Sequence, residues 1–131
     1  MNREASCSCG QLRVTVDGDP LRVSICHCLA CQRRTGSAFG VQSRFDCDHV
    51  RITGTSREYT RVSDEGDEER TSHFCGECGA TVYIRSDSTP DMLIIPVGAF
   101  AEPAFPPPTV SVWEDRKHHW VELPAGVQHL P

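Results

Sequence analysis

The sequence predicts a mainly β protein in which residues 1–131 form a single zinc-binding domain. Three observations support this prediction. Apolar and polar residues alternate in many short segments, which is the periodicity of half-buried strands. Helix signals are sparse. Eight cysteines occur in a chain that is only 38% apolar, so a lean core would gain stability from cross-links through metal or disulfides.

Short alternating segments predict strands along most of the chain. The clearest one places Leu12, Val14 and Val16 on one face, with Arg13 and Thr15 on the other. Pro96 should end or bulge the strand that contains it. The predicted strands cover residues 12–16, 23–25, 39–45, 50–52, 58–62, 81–85, 92–97, 110–113 and 119–123.

One helix and two loops complete the predicted elements. A single helical turn is expected over residues 29–34, and Gly36 should stop it. The acidic run at residues 64–69, DEGDEE, lacks the spacing of a calcium loop and indicates a solvated hairpin tip. Residues 101–108, AEPAFPPP, carry four prolines and predict a stiff connector that lays the last strands against the body.

Charge and hydropathy bear on partners and location. The net charge of −5 argues against a nucleic-acid partner, because binding to the phosphate backbone favours a basic protein. The longest apolar stretch, MLIIPVGAF, is too short for a membrane span. The N-terminal residues lack the apolar stretch of a secretory signal. We therefore expect a cytoplasmic protein, in which thiols stay reduced and clustered cysteines more often hold metal.

Seven of the eight cysteines fall into three groups, and two of these groups are pairs followed by glycine. Gly10 and Gly79 permit the left-handed backbone that a metal-binding turn often requires. Together the pairs offer four thiolates, enough for a closed tetrahedral zinc site that joins distant parts of the chain. A redox pair is the alternative for Cys75 and Cys78, but the βαβ context usual for such a pair is missing. The predicted ligands are Cys7, Cys9, Cys75 and Cys78.

The remaining group, Cys26, Cys28 and Cys31, has no matching pair. Three protein ligands with an exchangeable fourth position are typical of catalytic zinc. Because a thiol loses its proton when it coordinates zinc, we expect this site to bind an exogenous thiol as thiolate. The alternative is closure by a fourth side chain. The candidates for that role are His27, Cys47, His73 or an acidic residue.

These motifs, in this order, resemble the glutathione-dependent formaldehyde-activating enzyme family, which also includes centromere protein V. The matching segments are CSCGQL (7–12), CHCLACQRRTGSAF (26–39) and HFCGECGATVYIR (73–85), with a late His-Trp-Val stretch at 119–121. The resemblance implies small antiparallel sheets in a β-tent-like domain around two zinc ions. It implies a structural zinc on the two pairs and a second zinc on the group of three, where Cys26, Cys28 and Cys31 are then catalytic.

The implied activity is that of a carbon–sulfur lyase. Glutathione and formaldehyde would condense reversibly to S-hydroxymethylglutathione, with the glutathione sulfur reacting as a thiolate. Several residues are candidates for roles around this reaction. Arg33 or Arg34 would pair with carboxylates, Ser37 would stabilise an alkoxide, and His118 or His119 would transfer a proton. Each also has an ordinary structural explanation.

Two other functions stay open at this point. A zinc-stabilised binding module without catalysis would have its second zinc closed by protein. A zinc-dependent nucleic-acid partner is disfavoured by the acidic charge. The sequence does not indicate which thiol or which aldehyde would react, nor the oligomeric state.

Overall fold

The computed structural model describes residues 2–64 and 66–131. Within these residues the chain forms eleven strands and one α-helix, α1 (Leu29–Thr35). Three short 3-10 helices lie at Cys47–His49, Val97–Phe100 and Glu114–Arg116. The strands are β1 (Asn2–Ser6), β2 (Arg13–Asp17), β3 (Arg22–Cys26), β4 (Gly40–Asp46), β5 (Val50–Thr53), β6 (Arg57–Val62), β7 (Glu69–Phe74), β8 (Thr81–Ser86), β9 (Met92–Pro96), β10 (Val110–Val112) and β11 (Gln128–Leu130).

The strands form two sheets. The smaller sheet has the order β1-β2-β5, and both of its pairings are antiparallel. The larger sheet has the order β11-β10-β3-β4-β9-β8-β7-β6. Its pairings are antiparallel except near one edge, where β10 runs parallel to both β3 and β11. The prediction of a mainly β fold is confirmed.

A shared apolar core lies between the two sheets. Leu12 and alternate residues of β2 pack against side chains from the middle of the larger sheet. Strand β9 is buried on both faces, as expected for a central strand that reads as a continuous apolar run. The largest fully buried apolar side chains are Phe45, Leu12, Leu93, Ile94, Ile95, Val14, Val16 and Val82.

Eight of the nine predicted strands are present, and the ninth is wrong. Residues 119–120 form a turn and residues 121–123 are irregular, and the Val121 N–H donates to the His118 carbonyl (3.1 Å). Val121 is buried while Trp120 is 62% exposed, so the apparent alternation reflects one anchored loop residue. Three further strands, β1, β7 and β11, have no counterpart among the predicted segments.

The predicted helix and loops are confirmed where the structure describes them. Helix α1 is capped by Cys28 and ends at Gly36, whose φ is 68°. The acidic run forms the tip between β6 and β7, although Glu65 itself lies outside the described residues. In the proline-rich connector the buried Phe105 ring stacks on Phe100 at 4.8 Å. The connector thereby delivers β10 to its place beside β3.

No helix among residues 2–64 and 66–131 is long and apolar enough to cross a bilayer.

Candidate metal centres

The first candidate centre is built from two turns that close with the same backbone hydrogen bond, from the first cysteine to the carbonyl five residues later. In the β1–β2 turn the Cys7 N–H donates to the Leu12 carbonyl at 3.0 Å. In the β7–β8 turn the Cys75 N–H donates to the Ala80 carbonyl, also at 3.0 Å. The glycine after the second cysteine of each turn has a φ above 80°, which L residues rarely adopt. Both turns therefore have the geometry that the Cys-Gly spacing predicts.

The four sulfurs of these turns converge on one point. All four lie within 4.8 Å of one another, with Cys7 and Cys75 buried and Cys9 exposed. The Cys7–Cys9 and Cys9–Cys75 sulfur distances are 3.7 and 3.6 Å. Four sulfurs at tetrahedral zinc distance are separated by roughly 3.8 Å, whereas a disulfide bond is only about 2.05 Å long. The donor set therefore fits a tetrahedral thiophilic ion.

Hydrogen bonds stabilise the thiolate form of part of this cluster. The Gln11 side-chain amide donates to the Cys75 sulfur at 3.1 Å, and the Glu77 backbone N–H donates to it at 3.3 Å. The Gln11 amide, followed by the Cys78 backbone N–H, lowers the pKa of Cys75 to about 6. The Ala80 backbone N–H, followed by that of Cys9, lowers the pKa of Cys78.

Cys9 behaves in the opposite way. The Gln11 backbone N–H acts to lower its pKa, but contacts with the sulfurs of Cys75 and Cys7 raise it to about 11. Four neighbouring thiolates repel one another, so the fully ionised set needs a cation to compensate its charge.

The second candidate centre lies where β3 meets α1. Cys26 is the last residue of β3, Cys28 is the N-cap of α1, and Cys31 is in its first turn. All three are buried, and their sulfurs lie within 4.8 Å of one another. The Cys31 backbone N–H donates to the Cys28 sulfur at 3.3 Å, and the Gln42 amide donates to the Cys31 sulfur at 3.4 Å.

The three buried thiols share protons unequally. Hydrogen bonds from the thiols of Cys26 and Cys31 lower the pKa of Cys28 far below its usual range. The pKa of Cys26 is raised by hydrogen bonds with Cys28 and Cys31, and burial raises it further. One of the three sulfurs is therefore stable as a thiolate, and ionisation of the other two requires a cation.

None of the candidate closing residues joins this centre. Among residues 2–64 and 66–131, no fourth cysteine, histidine or carboxylate ligand atom lies with the three sulfurs. His27 is fully buried, and its Nε2 lies 3.1 Å from the Ser111 hydroxyl. The Cys47 sulfur contacts the Pro90 carbonyl oxygen at 3.9 Å. The His73 ring stacks on Tyr83 at 4.2 Å.

Two cavities are lined by cysteines of the Cys26–Cys28–Cys31 cluster. The first, of about 220 Å³, is named here the polar cavity. The second, of about 460 Å³, is named the wide cavity. Both are lined by Gln42, Arg61 and Arg70. The polar cavity is also lined by Arg22, Ser24, Cys26, Cys28, Arg44, Ser63, Asp64, Asp67, Glu68, Val112 and Trp113. The wide cavity is also lined by Ala30, Cys31, Arg33, Arg34, Tyr59, Ser72, Phe74, Gly79, Thr81 and Ile84.

The curvature of the larger sheet creates the polar cavity. Strands β3, β4 and β10 supply one wall, and the β6–β7 hairpin supplies the other. These strands lie towards opposite ends of the eight-stranded order, so the sheet must curl round to bring both to one cavity. Trp113, at a φ of 57°, also lines this cavity and packs against the cysteine cluster.

The other residues predicted for catalysis divide between two locations. Arg33 and Arg34 line the wide cavity beside Cys31, which places them within reach of a ligand there. Ser37 and His118 instead line a separate groove of about 410 Å³. The His118 Nε2 lies 2.9 Å from the side-chain oxygen of Gln32. His119 is exposed and lines neither sulfur-facing cavity.

The cavities also contain residues that the sequence analysis did not identify. A usable signal exists for one set: Arg22 and Ser24 precede Cys26 by four and two residues, so they share its face of β3. Strand register then adds Arg44 and Gln42, which lie opposite Arg22 and Ser24. Arg61, Arg70 and Trp113 come from distant segments and carry no comparable local signal.

Comparison with known proteins places the chain in a family. A crystal structure of a protein from Rhodobacter sphaeroides is similar in fold, with a TM-score of 0.54 and 19% sequence identity over 73% of this chain and 85% of that one. No curated protein sequence matches significantly. The sequence model of the glutathione-dependent formaldehyde-activating enzyme family matches residues 2–116. The chain therefore belongs to the glutathione-dependent formaldehyde-activating enzyme family.

Proposed function

We propose that this protein is a zinc-dependent carbon–sulfur lyase that adds a thiol such as glutathione to a small aldehyde, or cleaves the adduct. The observation that carries this proposal is the cluster of Cys26, Cys28 and Cys31. It gathers three buried sulfurs with no fourth side-chain ligand among the described residues, and it faces two cavities. A purely structural centre normally has four protein ligands, as the first candidate centre does.

The residues present fit zinc at both centres. A zinc ion on the three-cysteine centre would offer an exchangeable position where an incoming thiol ionises near neutral pH. The protein's own groups keep that position defined. The Cys31 backbone N–H and the Gln42 amide hold the sulfurs of Cys28 and Cys31 from either side. Gln42 is itself buried between the two cavities, so its orientation is constrained by packing.

The wide cavity suits an anionic thiol. Its volume of about 460 Å³ lies within the roughly 300–1,000 Å³ usual for small-molecule sites. Four arginines line it, and guanidinium groups pair with carboxylates in bidentate fashion. Tyr59, Phe74 and Ile84 add apolar surface. Glutathione, with two carboxylates and a short apolar stem at its sulfur, matches this lining.

We further infer a reducing, cytoplasmic location from the clustering of the thiols. Seven of the eight cysteines lie in the two clusters, and Cys9 and Cys78 are exposed. Exposed thiols that must stay available for metal persist best where cellular reductants keep them reduced.

The test is a thiol-by-aldehyde screen on zinc-loaded protein, followed by exchange NMR of free and adduct signals. We expect glutathione–formaldehyde exchange to be faster than the spontaneous reaction, and Cys31→Ala to reduce that acceleration at least ~100-fold. Cys47→Ala is the matched control, because Cys47 lies outside both centres, and it should retain wild-type turnover. Full turnover in Cys31→Ala would disprove the assigned role.

X-ray absorption separates an enzyme from a binding module. Adding the active thiol should raise the average sulfur count per zinc, because only the three-cysteine centre has room for another ligand. An unchanged sulfur count would favour a zinc-stabilised binding module without catalysis.

A further inference from the structure

The polar cavity is lined by two pairs of arginines, and the two members of each pair lie opposite each other on neighbouring strands. Arg22 of β3 lies directly opposite Arg44 of β4, and Arg61 of β6 lies directly opposite Arg70 of β7. All four are half-buried and line the same cavity. Like charges directly opposite each other destabilise a sheet. Two such pairs around one cavity indicate that the cavity is shaped for an anion rather than for stability.

The Arg22–Arg44 pair is the less compensated of the two. The Arg22 Nε is buried and has no hydrogen-bond partner among the described residues. Burial lowers the pKa of Arg44, and the charges of Arg22 and Arg70 lower it further, against an opposing effect of Glu68. An orphaned buried N–H beside crowded cations favours a ligand that brings acceptor oxygens.

The acidic residues of the cavity compensate this pair only in part. Glu68 is already engaged, because it accepts from Arg70 at 3.0 Å and from the Ser86 and Ser88 hydroxyls. Asp64 and Asp67 are exposed, and Asp67 accepts from the Ser63 hydroxyl at 2.7 Å. These two carboxylates therefore lie at the solvent side of the cavity.

The polar cavity also reaches the cysteine cluster, because Cys26 and Cys28 line it. Arg22, Ser24 and Cys26 share one face of β3, and Arg22 begins about 13 Å before Cys26 along the strand. This separation leaves room for a short spacer between a carboxylate at Arg22 and the cysteine cluster. At about 220 Å³ the polar cavity is half the size of the wide one, so a small molecule fits it better than a tripeptide does.

Resting on the function proposed above, we propose that Arg22 and Arg44 bind the carboxylate of the carbonyl substrate, so that the preferred aldehyde is a short oxo acid rather than neutral formaldehyde. The thiol then occupies the wide cavity. The thiolate sulfur attacks the aldehyde carbon and forms a carbon–sulfur bond, and the carbonyl π electrons move to oxygen. The resulting alkoxide takes one proton, equal in number to the proton lost by the thiol, so the hemithioacetal forms without an oxidant or reductant.

The experiment compares acids with neutral aldehydes of equal chain length on the zinc-loaded protein. Glyoxylate is matched with acetaldehyde, and succinic semialdehyde with butyraldehyde, while formaldehyde with the same thiol reports the basic activity. We expect at least one acid to exceed its neutral partner in kcat/KM, and Arg22→Gln to reduce that ratio about tenfold or more. Arg51→Gln, which changes an exposed arginine of β5 opposite Thr15, should leave the ratio unchanged.

Arg44→Met provides a second variant should Arg22→Gln fold poorly, and succinate provides a readout without turnover. Calorimetry should detect succinate binding to the wild type and its loss in either variant. Formaldehyde turnover without any preference for acids, or with a preference that both variants retain, would overturn this inference and leave the proposed function standing. Absence of succinate binding would also overturn it. Failure of every aldehyde with every thiol would overturn the proposed function and this inference together.

Discussion

Gln11 is the side chain that connects the first metal centre to its surroundings. Its amide nitrogen contacts the Thr55 carbonyl at 2.7 Å as well as the Cys75 sulfur at 3.1 Å. Its amide oxygen accepts from the Thr55 backbone N–H at 3.0 Å. One residue therefore fixes the β5–β6 turn and stabilises a ligand thiolate at the same time.

Replacing Gln11 with leucine should make the metal easier to displace by acid. The Gln11 amide lowers the pKa of Cys75, so its removal raises that pKa and protons compete better with the metal. We expect the midpoint of acid-driven zinc release to move upward by up to about half a pH unit, since one hydrogen bond contributes roughly 1 kcal/mol. A chromophoric chelator between pH 4 and 8 measures it. Gln128→Leu, in the edge strand β11, is the control and should keep the wild-type midpoint of zinc release. The same midpoint in Gln11→Leu and Gln128→Leu would contradict the role assigned to the Gln11 amide.

Arg44→Met should stabilise the ligand-free protein. Methionine keeps much of the apolar stem, removes one cation of the Arg22–Arg44 pair, and relieves repulsion worth about 0.2–1 kcal/mol. Urea denaturation of zinc-loaded protein measures the free energy of unfolding. Arg51→Met, which has no arginine opposite it, should not stabilise the protein. Destabilisation by Arg44→Met would show that packing of the arginine stem outweighs the repulsion.

At the scale of elements, the sequence identifies the strands that bury a regular apolar face. Strand β2 alternates clearly, and β9 reads as a continuous apolar run ended by Pro96. Strands β1, β7 and β11 are polar along most of their length, and only Ala5 and His73 are buried among their residues. They are held by backbone pairing, β1 and β7 in hairpins and β11 in a parallel pair with β10, and an apolar periodicity does not record such pairing.

The candidate site shows the same division. The spacing of the cysteines predicts which sulfurs come together, because ligands within one turn are local and the two pairs complement each other. The arginines of the polar cavity come from strands towards opposite ends of the larger sheet. The curvature of the sheet brings these arginines and the acidic hairpin tip to one cavity. Sequence reasoning therefore finds the clustered cysteines and misses most of the residues that line the cavities.

Two glycine substitutions test how closely the β5–β6 turn approaches the first centre. Gly54 and Gly18 have similar φ values, 92° and 86°. A Cβ at Gly54 would lie 1.9 Å from the Gln11 carbonyl oxygen, whereas one at Gly18 would meet nothing within 4 Å. We expect Gly18→Ala to cost roughly 1 kcal/mol and Gly54→Ala at least ~2 kcal/mol more, in free energy of unfolding from urea titration. Equal costs would show that the turn yields without strain.

At the scale of the whole molecule, the first centre joins the two sheets. The turn with Cys7 and Cys9 belongs to the smaller sheet, and the turn with Cys75 and Cys78 belongs to the larger one. An ion bound here closes a loop of more than sixty residues around the shared core. The second centre joins only neighbouring segments of the chain, from β3 into α1.

Cys78→Ala and Cys31→Ala should therefore have opposite profiles. Losing Cys78 breaks the long cross-link and should cost several kcal/mol, with a fall in Tm on the order of 10 °C or more. Losing Cys31 should cost less stability while removing thiol-dependent activity. Thermal unfolding by circular dichroism, with zinc content per chain, measures both variants. Equal losses of stability would show that the two centres do not divide structural and catalytic roles in this way.

The separation of 66 residues between Cys9 and Cys75 also orders events during biosynthesis. At about 5–20 residues per second, the ribosome makes the second pair of thiols roughly 3–13 seconds after the first. During that interval the nascent chain carries only two of the four predicted ligands, and the thiols of Cys7 and Cys9 are exposed to oxidants. Slower translation between the two pairs should therefore raise the fraction of newly made chains that resist alkylation at Cys7 and Cys9, as pulse-labelling with a thiol reagent would reveal.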